Sequence, residues 1–207
     1  QIPIDDKYWG GAIITKENIK IPVINTAQPR VYQYFVAWHE IYHLFYDLNL
    51  SEETHNIAVD MDLNERKADY FAAKMIFGNV YEYYYSLDDE DFIDRVIKCM
   101  DAYKAPYKAV LIELFEEATT KYNDLELKKE IVEHFDNKSI NLVQKFIDLG
   151  LDSELVRPSY VVNLGGLEKK MKKVMEENPD VSYHKDNYNY LLEIRSKIQE
   201  GLEGLSK

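Results

Sequence analysis

Val31, Phe35, Trp38, Ile41, Tyr42 and Phe45 recur at spacings of three and four, which lays one apolar stripe along a helix. The same period returns in Ala68, Phe71, Ala72, Met75 and Ile76, and again in Phe92, Ile93, Val96, Ile97 and Met100. Carried along the chain, the pattern predicts helices over about residues 29–47, 62–77, 89–103, 106–119, 124–135, 138–149, 166–177 and 185–204. Pro29 suits the first turn of the first of these, where a missing N–H costs nothing. Residues 11–15 and 19–24 lack the helical period and read as two short strands around a Lys16-Glu17-Asn18 turn. Pro22 makes the second an edge strand or ends its pairing. Residues 81–85, Tyr-Glu-Tyr-Tyr-Tyr, read as an aromatic connector packed over the core.

The first helix carries His39-Glu40-Ile41-Tyr42-His43. Two histidines four residues apart leave one helix face, so both imidazoles can reach a single metal ion. Glu40 follows the first histidine directly, where its carboxylate can reach a water activated by that ion. An ordinary core helix can also carry two histidines, so a third ligand is needed. The candidates downstream are Glu52, Glu53, His55, Asp60, Asp62 and Glu65. His55 lies in a polar segment that reads as a loop and ranks below Glu65. The Gly and third His of the metzincin pattern are absent from residues 44–49. Glu65 and Asp69 stand four apart on one flank of the second helix. Glu65 can ligate zinc, and Asp69 can accept a hydrogen bond from the far nitrogen of a ligating imidazole. Asn64 could orient the other histidine in a similar way. The plainer alternative for Glu65 and Asp69 is a solvated face paired with Arg66 and Lys67.

His39-Glu40-x-x-His43 followed by Glu65-x-x-Ala68-Asp69-x-Phe71-Ala72 resembles the ImmA/IrrE family of metallopeptidases, whose members show H-E-x-x-H and then E-x-x-A-N-x-F-A. Through Asn64-Glu65 and Asp69 it is also similar to the wider gluzincin group. The resemblance covers roughly residues 10–120, includes Phe35, and extends to residues 102–111, which resemble a later helical element of the family. The chain departs from it at Ile41-Tyr42, Trp38, Asp69 and residues 74–77, and keeps every ligand and the base. The resemblance implies cleavage of regulatory proteins, often helix-turn-helix repressors, or pairing with such a regulator in a toxin–antitoxin-like arrangement. The expected fold is α+β and mostly helical. A zincin-like core over residues 1–120 would set a small N-terminal β-sheet beside the H-E-x-x-H helix. A helical C-terminal region over residues 121–207 follows, with the option of packing on the first part as one unit.

A net charge of −12 repels phosphate backbones, which argues against direct nucleic-acid binding and suits a basic protein partner such as a helix-turn-helix regulator. Cys99 is the sole cysteine, so an internal disulfide is excluded and a reducing cytoplasm is expected. No apolar run approaches the roughly 20 residues of a membrane span, and no apolar leader is legible. Gly165-Gly166 lacks the spacing and the Lys-Ser/Thr of a nucleotide loop. The Lys-rich run 168–173 reads as a solvated helix face, and His134 as structural. Arg157, Tyr160, Tyr183 and His184 lie near helix breaks and are candidates for oxyanion stabilisation.

The expected activity is that of a zinc endopeptidase with one Zn²⁺ on His39, His43 and Glu65, and with Glu40 as general base. Strand addition at the small sheet would hold an extended substrate, and residues 81–85 have an alternative role as a cleft wall. The rival expectation is a zinc-binding regulatory module that binds a partner without cutting it, as an anti-repressor or toxin–antitoxin partner would.

Overall fold

A computed structural model of the chain describes residues 1–46 apart from 7, 17 and 18, residues 63–137 apart from 89, and residues 139–203. Strands β1 (Gly11–Lys16) and β2 (Ile19–Ile24) pair antiparallel, with Gly11 opposite Ile24 and Lys16 opposite Ile19. Glu17 and Asn18 of the expected turn lie outside the described residues. Helices follow as α1 (Arg30–Tyr46), α2 (Leu63–Ile76), α3 (Val80–Tyr85), α4 (Phe92–Tyr103) and α5 (Tyr107–Glu117). Then come α6 (Leu125–His134), α7 (Leu142–Asp148), α8 (Leu167–Glu177) and α9 (Ser182–Glu203). The fold is therefore mostly helical with one small antiparallel sheet, as the periodicity predicts.

Helix starts follow local chemistry. Asp91, Asp124 and Asn141 each accept a backbone N–H from three residues on, which caps α4, α6 and α7. These caps, rather than the apolar period, set the first residues, so α4 and α7 begin a few positions later than expected. Lys104 ends α4 in the left-handed region at φ 53°, and Pro106 immediately precedes α5.

Two expectations are corrected. Residues 81–85 belong to helix α3, not to a connector. Tyr84 is buried, Tyr81 stacks on Tyr122 with centroids 3.8 Å apart, and the Tyr81 and Tyr85 hydroxyls both donate to Asp124. Tyr183 and His184, expected just before the last helix, lie in the first turn of α9.

One apolar core runs from Val31 through Val96, Ile97, Leu111 and Leu114 to Ile131, Phe146 and Val156, crossing position 120 without a break. The sheet lies on α1, with Ala12, Ile13 and Ile24 buried. Asn25 organises the segment before it: its side-chain amide donates to the carbonyls of Ile4, Asp6 and Trp9, and its Oδ1 accepts from the Ile4 and Ala27 N–H groups. A late segment then clamps the start of α1. Arg30 N–H donates to the Arg157 carbonyl, Tyr160 N–H to the Thr26 carbonyl, and the Ser159 hydroxyl to Gln33 Oε1. By contrast, α8 buries no residue, and among the described side chains of α9 only Leu191 is buried. The Lys-rich run lies on this solvated hairpin, where Lys172 and Lys173 pair with Glu176 and Glu177. Among the described residues no helix is long and apolar enough to cross a membrane.

The inward face of α1 also differs from expectation. Its buried residues are Val31, Gln33, Val36, His39, Glu40 and His43, whereas Phe45 is 71% exposed. The sheet and α2 cover the side of the helix that carries the motif, so polar groups take the interior and the end of the apolar stripe faces outward. Met75, expected on the inner face of α2, is likewise exposed.

Candidate metal centre

Helix α2 reaches α1 through alanines. Ala68 and Ala72 are fully buried and stand four apart, so no bulky side chain separates the two helix surfaces. Glu65 and Asp69 share that flank and are delivered to the histidines. Tyr42 and Tyr46 pack against Phe71 at ring-centroid distances of 5.8 and 5.7 Å, which fixes the outer side of the same contact.

The three expected ligands converge. His39 Nε2 lies 3.0 Å from Glu65 Oε2, and His43 Nε2 lies 3.3 Å from Glu65 Oε1. The two Nε2 atoms are 3.2 Å apart. The separation of the two nitrogens matches the edge of a tetrahedron, about 3.3 Å, for ligand bonds of roughly 2.0–2.1 Å, and each faces one oxygen of the Glu65 carboxylate. Two imidazole nitrogens and a carboxylate directed at one point are a donor set that asks for a cation, and the group as a whole can hold a metal ion. His43 is fully buried, His39 nearly so. His39 Nδ1–H donates to Asp69 Oδ1 at 2.8 Å, which orients the ring so that Nε2 faces Glu65 and His43. Asn64 lies exposed in the first turn of α2. The other acidic and histidine candidates, Glu52, Glu53, His55, Asp60 and Asp62, lie outside the described residues.

Glu40 is the fourth member. Its side chain is buried, with the residue only 2% exposed, and its Oε2 has no hydrogen-bond partner among the described residues. Burial pushes its carboxyl up to about 7, against the pull of His39 and His43. For Glu65 burial acts in the same upward sense, but its hydrogen bonds to His39 and His43 win and hold it well below the usual carboxylate range. Burial lowers His39, and the Asp69 and Glu65 carboxylates outweigh it and lift the imidazole to about 9. Two neighbouring carboxylates are thus driven in opposite directions, one toward ligand-like anion and one toward proton acceptor near neutrality.

Strand β1 supplies a part that the sequence did not signal. A Cβ on Gly11 would fall 2.6 Å from Val36 Cγ1, 2.9 Å from Glu40 Oε1 and 2.9 Å from the Val23 carbonyl oxygen. Only glycine lets β1 lie this close to the Glu40 carboxylate. The site opens into a cavity of about 380 Å³. Gly11, Phe35 and Val36 form one wall, and Pro106, Ala109 and Ile112 of the α5 region form the other. Tyr32 and Lys108 also line it, whereas Arg157, Tyr160, Tyr183, His184 and residues 81–85 do not.

Comparison of the chain with protein-family models, with curated proteins and with solved structures gives no match.

Proposed function

We propose that the chain is a zinc-dependent endopeptidase, built on a zincin-like core of the kind its motifs resemble in the ImmA/IrrE metallopeptidases. One observation carries this reading: a three-donor group of His39, His43 and Glu65 stands beside a buried Glu40 whose Oε2 has no partner among the described residues. Metal binding alone needs the three donors. A further acid buried beside them, with a free lone pair, suits a proton acceptor for chemistry at that metal.

His39, His43 and Glu65 would hold a zinc ion, which would supply Lewis-acid polarisation of the scissile carbonyl and acidify the attacking water. Glu40 takes one proton from that water as its oxygen bonds to the carbonyl carbon. It then delivers the proton to the amine nitrogen as the C–N bond breaks. Asp69 acts through His39, whose ring it orients. The substrate is a polypeptide. The resemblance and the net charge of −12 favour a basic regulatory protein such as a helix-turn-helix repressor.

The test combines elemental mass spectrometry with a cleavage assay on the full chain. Wild type is expected to hold about one zinc per chain by this reading, and Glu65→Ala to lose it. Glu40→Gln is expected to keep zinc and lose cleavage by about 10²–10⁴-fold. Absence of zinc from reconstituted wild type would sink the proposal, and so would full activity in Glu40→Gln.

A further inference from the structure

The cleft beside the metal centre has two unlike parts. His39, Glu40, Glu65 and Asp69 supply one polar part, and apart from Tyr32 and Lys108 the remaining lining residues are apolar. Phe35 and Val36 of α1, Ala73 of α2, and Ala109 and Ile112 of α5 line the cleft together. Alanine at 73 and 109 leaves the space open, and about 380 Å³ is ample for any single side chain. Ile112 is 48% exposed although it lines this wall, so it presents apolar surface to the cleft.

Charge narrows what can enter. Glu40, Glu65 and Asp69 disfavour an acidic group at the metal end. A basic group would lie with its charge against apolar walls. Lys108, at the rim, is engaged already: its ammonium pairs with Asp136 at 2.7 Å and lies 4.5 Å from the centre of the Phe135 ring. A neutral, bulky apolar group satisfies every wall.

Resting on the peptidase reading above, we propose that this cleft seats a large apolar side chain of the substrate, leucine-sized or aromatic, beside the bond that is cut. Ala109 and Ile112 set the size it accepts. They are specificity residues from α5, outside the two motif helices.

The probes are the hydroxamates of leucine, phenylalanine, alanine and aspartate, titrated by calorimetry into the zinc-loaded full chain, with acetohydroxamate as the side-chain-free control. The leucine and phenylalanine compounds should bind at least about tenfold more tightly than the alanine and aspartate compounds. Ala109→Phe should erase that ratio while leaving zinc content and acetohydroxamate affinity unchanged. Ile112→Ala, a milder change, should raise the phenylalanine-to-leucine ratio. Equal affinities in wild type, or a ratio that survives both substitutions, overturns the proposal. Indole gives a readout without metal: it should shift the Ala109 and Ile112 methyl signals of the zinc-free chain, and failure to do so also overturns the apolar site. If indole binds there but acetohydroxamate does not bind the zinc-loaded chain, the peptidase reading falls and takes the assignment of a substrate side chain with it.

Discussion

Helices α1 and α4 are buried in the same way and filled in opposite ways. On α4 the inward positions are Phe92, Val96, Ile97, Cys99 and Met100, all apolar, and the helix packs chiefly on α3, α5 and α7. On α1 the inward positions end in Val36, His39, Glu40 and His43. Both sets follow the three-and-four spacing of one helix face. Hydrophobic burial explains the first set and opposes the second, because removing polar groups from water costs free energy unless they are fully partnered. Three of the four polar groups at the site answer one another through His39, His43 and Glu65; Glu40 keeps an orphaned oxygen. The α4 face is therefore a stability element. The α1 face is the one on which the proposed function rests, held in place by the sheet and by the clamp of residues 157–161.

The contrast is broken most directly by making α1 resemble α4. Glu40→Met replaces the buried carboxylate with an apolar side chain of similar length. Cleavage should fall by about 10²–10⁴-fold. In the zinc-free chain the fold should become more stable by about 1–3 kcal/mol, since an unsatisfied buried acid is removed. Urea denaturation reads the second effect, and a clear loss of stability would show that Glu40 supports the fold. The converse change is Ile97→Ala in the fully buried α4 face, expected to cost about 2–5 kcal/mol. Zinc affinity, measured by competition with a chelator, should be unchanged as long as the variant is folded.

Gly11→Ala tests where the two regimes meet. The new Cβ overpacks Val36, Glu40 and the Val23 carbonyl, for an expected loss of about 1–3 kcal/mol. Zinc content should hold while kcat falls, because the carboxylate of Glu40 must move. Repeating the substitution on a Glu40→Ala background removes one of the three clashes, so the stability loss should shrink there. An equal loss in both backgrounds would detach Gly11 from the base.

These expectations also mark what was legible in the sequence. Helix existence was readable because the apolar period is local and repeats in every turn. The group that could hold a metal was readable because His39 and His43 are an i, i+4 pair on α1, and Glu65 stands i, i+4 from Asp69, the partner of His39, on α2. The inward face of α1 was misread at Phe45 for a physical reason. A hydropathy stripe counts histidine and glutamate as solvent-facing, and here they are the interior. Gly11, Ala109 and Ile112 carried no signal. Their roles come from contacts between elements far apart in sequence, and neither a lone glycine in a strand nor an alanine in a helix announces a neighbour. The bond of Ser159 to Gln33 was silent for the same reason, spanning 126 positions.

The smallest expected effect lies within the α4 face, at Cys99. Burial pushes its thiol up to about 12. Burial likewise pushes Tyr107, which joins the same core, up to about 12. A thiol in an unfolded chain ionises near 9 and a phenol near 10. The folded state therefore holds these protons more tightly than the unfolded state does. Their contribution to stability is complete below about pH 9 and is lost as pH rises through about 12. Melting temperature should be insensitive to these two groups at neutral pH and should decline across the alkaline window. Cys99→Ala should flatten part of that decline, on the order of a few degrees, leaving the Tyr107 share in place. The same burial keeps the thiol unreactive, so a thiol reagent should label Cys99 only at the rate at which the core opens. Rapid labelling of the native protein at neutral pH would mean that the α4 face opens far more readily than its packing implies, and the division between a stable α4 and a functional α1 would lose its basis.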